Sequence, residues 1–507
     1  MRAAERNRAY LVLSERFATA AKLSAAREML FWDSQTYMPA GGAWARGEQV
    51  AAIYSACADL IAAPDAGDLF AAAEEAADTL GDVERSNLAE MRRMWRHSVS
   101  APKALLMERA RFSSALHADW RAAKSSNQFA LFAGGFARLM SIHREIAEAT
   151  GEALGLSAYD ALMDATDPGL TAAVIDPMFD DLEASLPALL GEVLERQAGW
   201  PKPRAFSGDF SIERQRALSQ TLLSAVGHSP AQVRLDASPQ AYTIGQSPSD
   251  VRIMMRFDAD NFLYSVRATL HEAGHVLYEL GLPRELAFTP VGAPRGATTH
   301  EGQALMLDMQ AGRSREFLTW LAPVLAKTFG GEPESWTPAN LLNHYRRVGQ
   351  GFIRTTADEI SYPLHVILRH RIERALLSGD LSVTDLPGAW SDLSQRLFGR
   401  RPPDDARGCL QDVHWANGMF GYFPSYALGV AFAAQLYEAA TSENPQIQSN
   451  LAHGDFSSHR DWVHPRIHDR ASKVPFAKLV EESTGASLST AALKRHLRNR
   501  YLEEVMP

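Results

Sequence analysis

Helical patterning dominates the chain, and Ala, Leu, Arg and Glu, residues that lose little on entering a helix, are abundant. The first fifty residues open helically and turn at W-D-S-Q-T-Y-M-P-A-G-G, where Pro39, Gly41 and Gly42 stop the helix. Residues 177–200 and 338–378 also read as helical. Strand signals are few. The clearest is S-D-V-R-I-M-M-R-F, where Val251, Ile253 and Met255 alternate with Arg252, Met254 and Arg256. Directly after it comes D-A-D-N-F-L-Y-S-V-R-A-T-L-H-E-A-G-H-V-L-Y-E-L-G-L-P. Asp258 or Asp260 suits the start of a helix there, Gly281 the position just past its end, and Pro283 blocks continuation. His271, Glu272 and His275 therefore fall well inside a helix of about five turns. No low-complexity tract, charge block or linker interrupts the chain, which predicts one mainly α domain over residues 1–507.

Composition narrows the class. Of 507 residues, 46% are hydrophobic and 22% charged, with Lys+Arg 51 against Asp+Glu 60 and a formal net charge of -9. That balance argues against nucleic acid or an anionic membrane as partner. The two cysteines, Cys57 and Cys409, stand far apart and exclude a disulfide framework or a cysteine zinc site. The polar N-terminus lacks a signal-peptide core, and the apolar run Y-A-L-G-V-A-F-A-A-Q-L-Y is broken by Gln435 and too short to span a bilayer. These features predict a cytoplasmic protein.

The candidate chemistry lies in H-E-A-G-H. Positions i and i+4 share a helix face, so His271 and His275 can turn their imidazoles toward one metal ion, with zinc the expected metal. Glu272 sits a step round the helix, placed to take a proton from water activated by that ion. Gly274 costs about 1 kcal/mol relative to Ala in a helix, which suggests that something passes close to it. A third ligand is expected downstream in T-H-E-G-Q-A-L-M-L-D-M-Q, where Glu301 and Asp308 share a face at i and i+7 and Leu305, Met306 and Met309 form a core face. His464 and His468 are also four apart, but Pro465 follows directly and they read as surface histidines. His365, in an apolar run, reads as a satisfied core residue.

Several strings in order resemble the carboxypeptidase Taq type of zinc metallocarboxypeptidase over nearly the whole chain. They are F-W-D-S-Q-T-Y-M-P-A-G-G-A, D-V-R-I, H-E-A-G-H, H-E-G-Q, I-R-T-T-A-D-E-I-S-Y, G-C-L-Q-D-V-H-W and G-Y-F-P-S-Y-A-L-G. The resemblance implies a two-lobed helical shell around a deep active-site groove, with a small β-sheet next to the metal-binding helix. It also implies a cytoplasmic homodimer that removes single residues from peptide C-termini with broad specificity. It makes His271 and His275 zinc ligands and Glu272 the general base, with Co2+ or Mn2+ as substitute metals. The third ligand it implies lies eight residues after His300, at Asp308, one methylene shorter than the family's glutamate. Gln240 to Tyr242 stand where the family has H-P-F, and Met254 replaces the threonine of D-x-R-x-T. In the family both segments line the groove.

Removing single C-terminal residues requires a group that binds a free carboxylate, and the forked guanidinium of arginine suits this. Arg354 is the first candidate and Arg252 the second. His414, Tyr422, Tyr426 and Gln411 are candidates to hydrogen-bond the substrate or an oxyanion. Two rivals to an active carboxypeptidase remain at this stage. One is an impaired relative that keeps the groove as a peptide-binding module; the other is an endo-acting oligopeptidase.

Overall fold

Helices make up most of the computed structural model, which describes residues 2–504. The N-terminal helix runs over Arg2–Thr36, and after Pro39 a short turn leads into a second helix, Ala43–Ile61. The helix expected over 177–200 begins earlier, at Ala172–Ala198, and accommodates Pro177 and Pro187. The stretch 338–378 is not continuous. Helix Pro338–Tyr345 stops ahead of Gly349 and Gly351, and a new helix, Ser361–Ser378, starts where the Asp358 carboxylate accepts from the amides of Ile360 and Ser361 at 2.9 Å each. An internal cap has split one helical pattern into two.

The histidine-bearing helix spans Phe262–Gly281. Its cap is Asn261, whose side chain accepts from the Tyr264 amide, rather than Asp258 or Asp260, and Gly281 is its last residue. Ahead of it lie strands β1 (Val233–Ala237), β2 (Tyr242–Ser247) and β3 (Asp250–Met255). They form a sheet in the order β1-β3-β2, with β1 parallel and β2 antiparallel to β3.

The pleat sorts the sheet residues onto two faces. Val251, Ile253 and Met255 join Val266, Leu270 and Ala273 of the histidine helix in the main core. On the other face Ile244 and Met254 enclose Trp32 of the N-terminal helix. Tyr37 adds a 2.5 Å hydrogen bond to Asp236 on that side. The sheet is thus clamped between the N-terminal helix and the histidine helix.

A second helix, Gly296–Leu305, crosses the histidine helix and runs on into a wider π-turn over Met306–Ala311. The crossing is close. A Cβ at Gly274 would lie 2.6 Å from both the Ala304 Cα and the Gln303 carbonyl oxygen. On its far side the 296–305 helix packs against helix Pro424–Glu443, where a Cβ at Gly429 would stand 2.9 Å from Cγ of Glu301.

Gly274→Ala should therefore lower stability although alanine is the better helix former, because the clash is with backbone. A loss of about 1–3 kcal/mol in chemical denaturation is expected, together with weaker metal binding by the purified variant. An unchanged or raised denaturation midpoint would contradict the close crossing.

Candidate metal centre

The histidine helix presents His271 and His275 one turn apart, with ring centroids 4.8 Å from each other. The crossing at Gly274 brings Glu301 to them: its Oε2 lies 3.9 Å from each Nε2. One ligand atom from each of the three residues falls within 4.8 Å of the others. Two imidazole nitrogens and a carboxylate oxygen are a donor set that suits zinc at about 2.0–2.2 Å per bond. The fit is supported by how Glu301 is held. It is buried, yet among the described residues neither of its carboxylate oxygens accepts a hydrogen bond. A carboxyl so placed stays charged only with a cation between it and the imidazoles and otherwise takes up a proton.

Asp308, the ligand expected from the resemblance, does not join this group. The face-sharing of Glu301 and Asp308 at i and i+7 presumes a regular α-helix. The π-turn that begins at Met306 takes an extra residue per turn and swings Asp308 off that face. There Arg313 holds it, its Nη2 3.2 Å from both carboxylate oxygens. The third donor that the geometry offers is Glu301.

Burial sets the electrostatics of the set. It pushes His271 down to about 4 and His275 well below the usual histidine value, so both are neutral and free to donate a lone pair. It raises Glu301 to about 8, against the opposing charge of Arg354, and Glu272 to about 7. Glu272 accepts a 2.6 Å hydrogen bond from the Thr243 hydroxyl on the helix-facing side of β2, which favours its charged form.

Three neighbours were not read from the sequence. Thr243 is one, its role arising from strand register. The others are His300, stacked on His275 at 4.2 Å and 16°, and Glu279, which lies 3.0 Å from His300 Nε2. Glu279 was legible in principle, being four residues beyond His275 on the same helix row.

The expected substrate residues divide. Arg354, His414, Tyr422 and Tyr426 gather on the Glu301 side. Arg354 lies 4.7 Å over the Tyr426 ring, and His414 Nε2 is 3.3 Å from the Tyr426 hydroxyl. Arg354 is already paired with Asp412, which Arg369 also grips at 2.6 Å, so two guanidiniums share one carboxylate. Gln411 is not free to bind substrate. Its amide nitrogen donates to the carbonyls of Phe352, Arg407 and Gly408, and its oxygen accepts from the Arg354 amide, so it positions Arg354.

Arg252 is placed away from the metal group. It sits on the sheet face covered by the N-terminal helix, stacked 4.5 Å over Trp32 and paired with Asp250. Met254 shares that face and is buried against Trp32, and Tyr242 meets Phe31 edge-on there. His468 proves to be buried, with Nε2 3.0 Å from Gln303 Oε1, while His464 is exposed. His365 is a core residue, 3.2 Å from the Gly351 carbonyl oxygen.

Comparison with known proteins places the chain in a family. The chain belongs to the carboxypeptidase Taq (M32) metallopeptidase family, whose model matches residues 12–501. It is accordingly a metallocarboxypeptidase, a peptide hydrolase whose family implies a catalytic metal. It is 32% identical over 506 residues to thermostable carboxypeptidase 1 of Thermus thermophilus, covering 97% of this chain and 98% of the relative. Carboxypeptidase 1 of Bacillus subtilis is 30% identical over 481 residues, 94% and 95% of the two chains. Among solved structures, Trypanosoma cruzi metallocarboxypeptidase 1 superposes with a TM-score of 0.95 at 33% identity, covering 98% of this chain and 99% of that one. Among the described residues no helix is long and apolar enough to cross a membrane.

Two outcomes test the donor set. Glu301→Gln should weaken metal binding by at least about 10-fold. Asp308→Asn should largely spare affinity while lowering stability, since it breaks a buried ion pair. The reverse pattern in metal titration would restore Asp308 as the ligand. Proton linkage gives the second test. The metal-free protein holds a proton on Glu301 up to pH about 8, and a metal must displace it. Affinity should thus climb about tenfold per pH unit as pH rises toward 8 and level off above it, and Glu301→Gln should flatten the slope.

Proposed function

We propose that the chain is a zinc-dependent carboxypeptidase that hydrolyses the C-terminal bond of peptides with broad specificity. The observation that carries this reading is the convergence of His271, His275 and Glu301, with Glu272 held beside them by Thr243. His271, His275 and Glu301 would hold the ion, with Co2+ or Mn2+ as substitutes. When bound, it supplies Lewis acidity, polarising a peptide carbonyl and making water a stronger acid. Glu272 takes the proton from the attacking water and passes it to the departing amine. Its basicity near 7 suits both transfers.

Arg354 anchors the substrate's terminal carboxylate, and the half-claimed Asp412 leaves the Arg354–Arg369 pair one positive charge in excess. Tyr422, Tyr426 and His414 hydrogen-bond the peptide around it. The same reading takes residues 1–507 as one domain, two-lobed around a groove, and the protein as a cytoplasmic homodimer. A binding-only role loses two of its motives, because Met254 faces the N-terminal helix and Asp308 lies outside the donor set. The arginine pair beside Glu301 favours removal of single C-terminal residues over internal cleavage.

Glu272→Gln should keep its metal and lose about 10² or more in turnover. Metal content by elemental analysis and amino-acid release measure the two. Amidating the C-terminus of an N-blocked peptide should abolish its cleavage. Equal cleavage of amidated and free peptides would overturn the terminal-carboxylate reading and favour the endo-acting alternative.

A further inference from the structure

Arg267 precedes His271 by one helical turn, on the same row as both imidazoles. It belongs to a buried charge network in which, among the described residues, every other cation is matched. Arg313 grips Asp308 and lies 3.3 Å from Glu359; Arg500 donates to Glu359 at 2.6 Å, His496 lies 2.9 Å from Glu359, and the nearby buried Arg346 is paired with Glu504. Burial keeps His496 below the usual histidine value, so it adds no charge near neutrality. Asp308, Glu359 and Glu504 thus answer Arg313, Arg500 and Arg346, and the charge of Arg267 is surplus.

The geometry of Arg267 agrees. Its Nε stays at 4.0 Å from Asp308, the nearest carboxylate, and meets no hydrogen-bond acceptor among the described residues. The hydroxyl of Tyr345, close enough to feel the same charges, is also buried without a partner. Whereas the Arg313 side chain is 4% exposed, that of Arg267 is 32% exposed. The like charge of Arg313 holds Arg267 below the usual arginine range, as expected of a cation lacking a counter-ion. Arg267 stands on the histidine helix and Arg354 over Tyr426 of helix Pro424–Glu443; these two helices pack on opposite sides of helix Gly296–Leu305 at Gly274 and Gly429, so the two cations flank the donor set from different sides.

We propose that Arg267 is a specificity-determining residue that binds an acidic side chain of the peptide. Because Arg354 takes the terminal carboxylate on the Glu301 side, Arg267 meets the penultimate residue, the one left at the new C-terminus. This rests on the carboxypeptidase reading above and adds a substrate class to it: peptides with glutamate or aspartate before the last residue.

The test uses N-blocked peptides ending in alanine with glutamate or glutamine in the penultimate position, and a second pair releasing glutamate or glutamine itself. Rates of amino-acid release by the metal-loaded enzyme are compared as kcat/KM ratios within each enzyme, so that a general loss of activity cancels. The parent should prefer penultimate glutamate by about tenfold, less at high salt. The ratio should fall to about one in R267M and be largely kept in R267K. Equal rates in the parent, a ratio unchanged in R267M, or a preference confined to the released residue would each overturn the assignment. No release from any peptide would instead overturn the carboxypeptidase reading and this inference with it. Release without glutamate preference would overturn this inference alone.

Discussion

The separation of two crossing helices governs everything else at the centre, and it is set by the missing side chain at Gly274. The backbone of Gln303 and Ala304 occupies the place where a Cβ would be. Only at that distance does Glu301, three residues before Ala304, come level with His271 and His275. Gly429 repeats the device on the other side, letting the helix that carries Tyr426 close against Glu301. The helical propensity lost at such glycines, about 1 kcal/mol each, is small against that of leaving a donor set misaligned.

Close packing also fixes the charge states. Without a cation the donor set approaches neutrality, because burial drives protons off both imidazoles and onto the Glu301 carboxyl. The surrounding charges are arranged differently. Arg354 and Arg369 straddle Asp412 on one side, and Arg267, 4.0 Å from the Asp308 that Arg313 holds, borders the other. A neutral, ligand-rich centre flanked by cations on two sides can take up a divalent ion and still attract an anionic peptide end. Had Asp308 been a ligand, its pairing with Arg313 would have competed directly with metal binding.

What the sequence made legible follows from which arguments were local. The helix with His271, Glu272 and His275, the turn near Pro39 and the strand before the metal helix all rest on patterns a few residues long, and they stand in the structure with small shifts. Arg252 was misplaced for an instructive reason: alternation separates Arg252 from Ile253 but does not say which face meets the histidine helix. Only the clamping of the sheet between Trp32 and that helix decides it. Asp308 was preferred to Glu301 on the resemblance alone, since a regular α-helix would put both on one face; the π-turn that separates them leaves no clear mark in M-L-D-M-Q-A. Thr243 depends on the register of β2 against β3, which the pattern of Y-T-I-G-Q-S does not announce.

One helix row nonetheless orders the whole site. Arg267, His271, His275 and Glu279 follow at intervals of four, and each interval turns the direction by about 40°. Adjacent members diverge little, so the two imidazoles can meet one ion. The outer members diverge from each other by about 120° and must address different surroundings. Glu279 turns inward to His300 and to the backbone of β2, where a Cβ at Gly245 would lie 2.2 Å from its carboxylate. Arg267, at the other end, meets Asp308 only at arm's length and keeps its exposed side toward solvent. The drift of a four-residue repeat against a 3.6-residue turn thus gives this helix a structural end and an open end. The ligands lie between them, and the open end is where a peptide's own charge can be read.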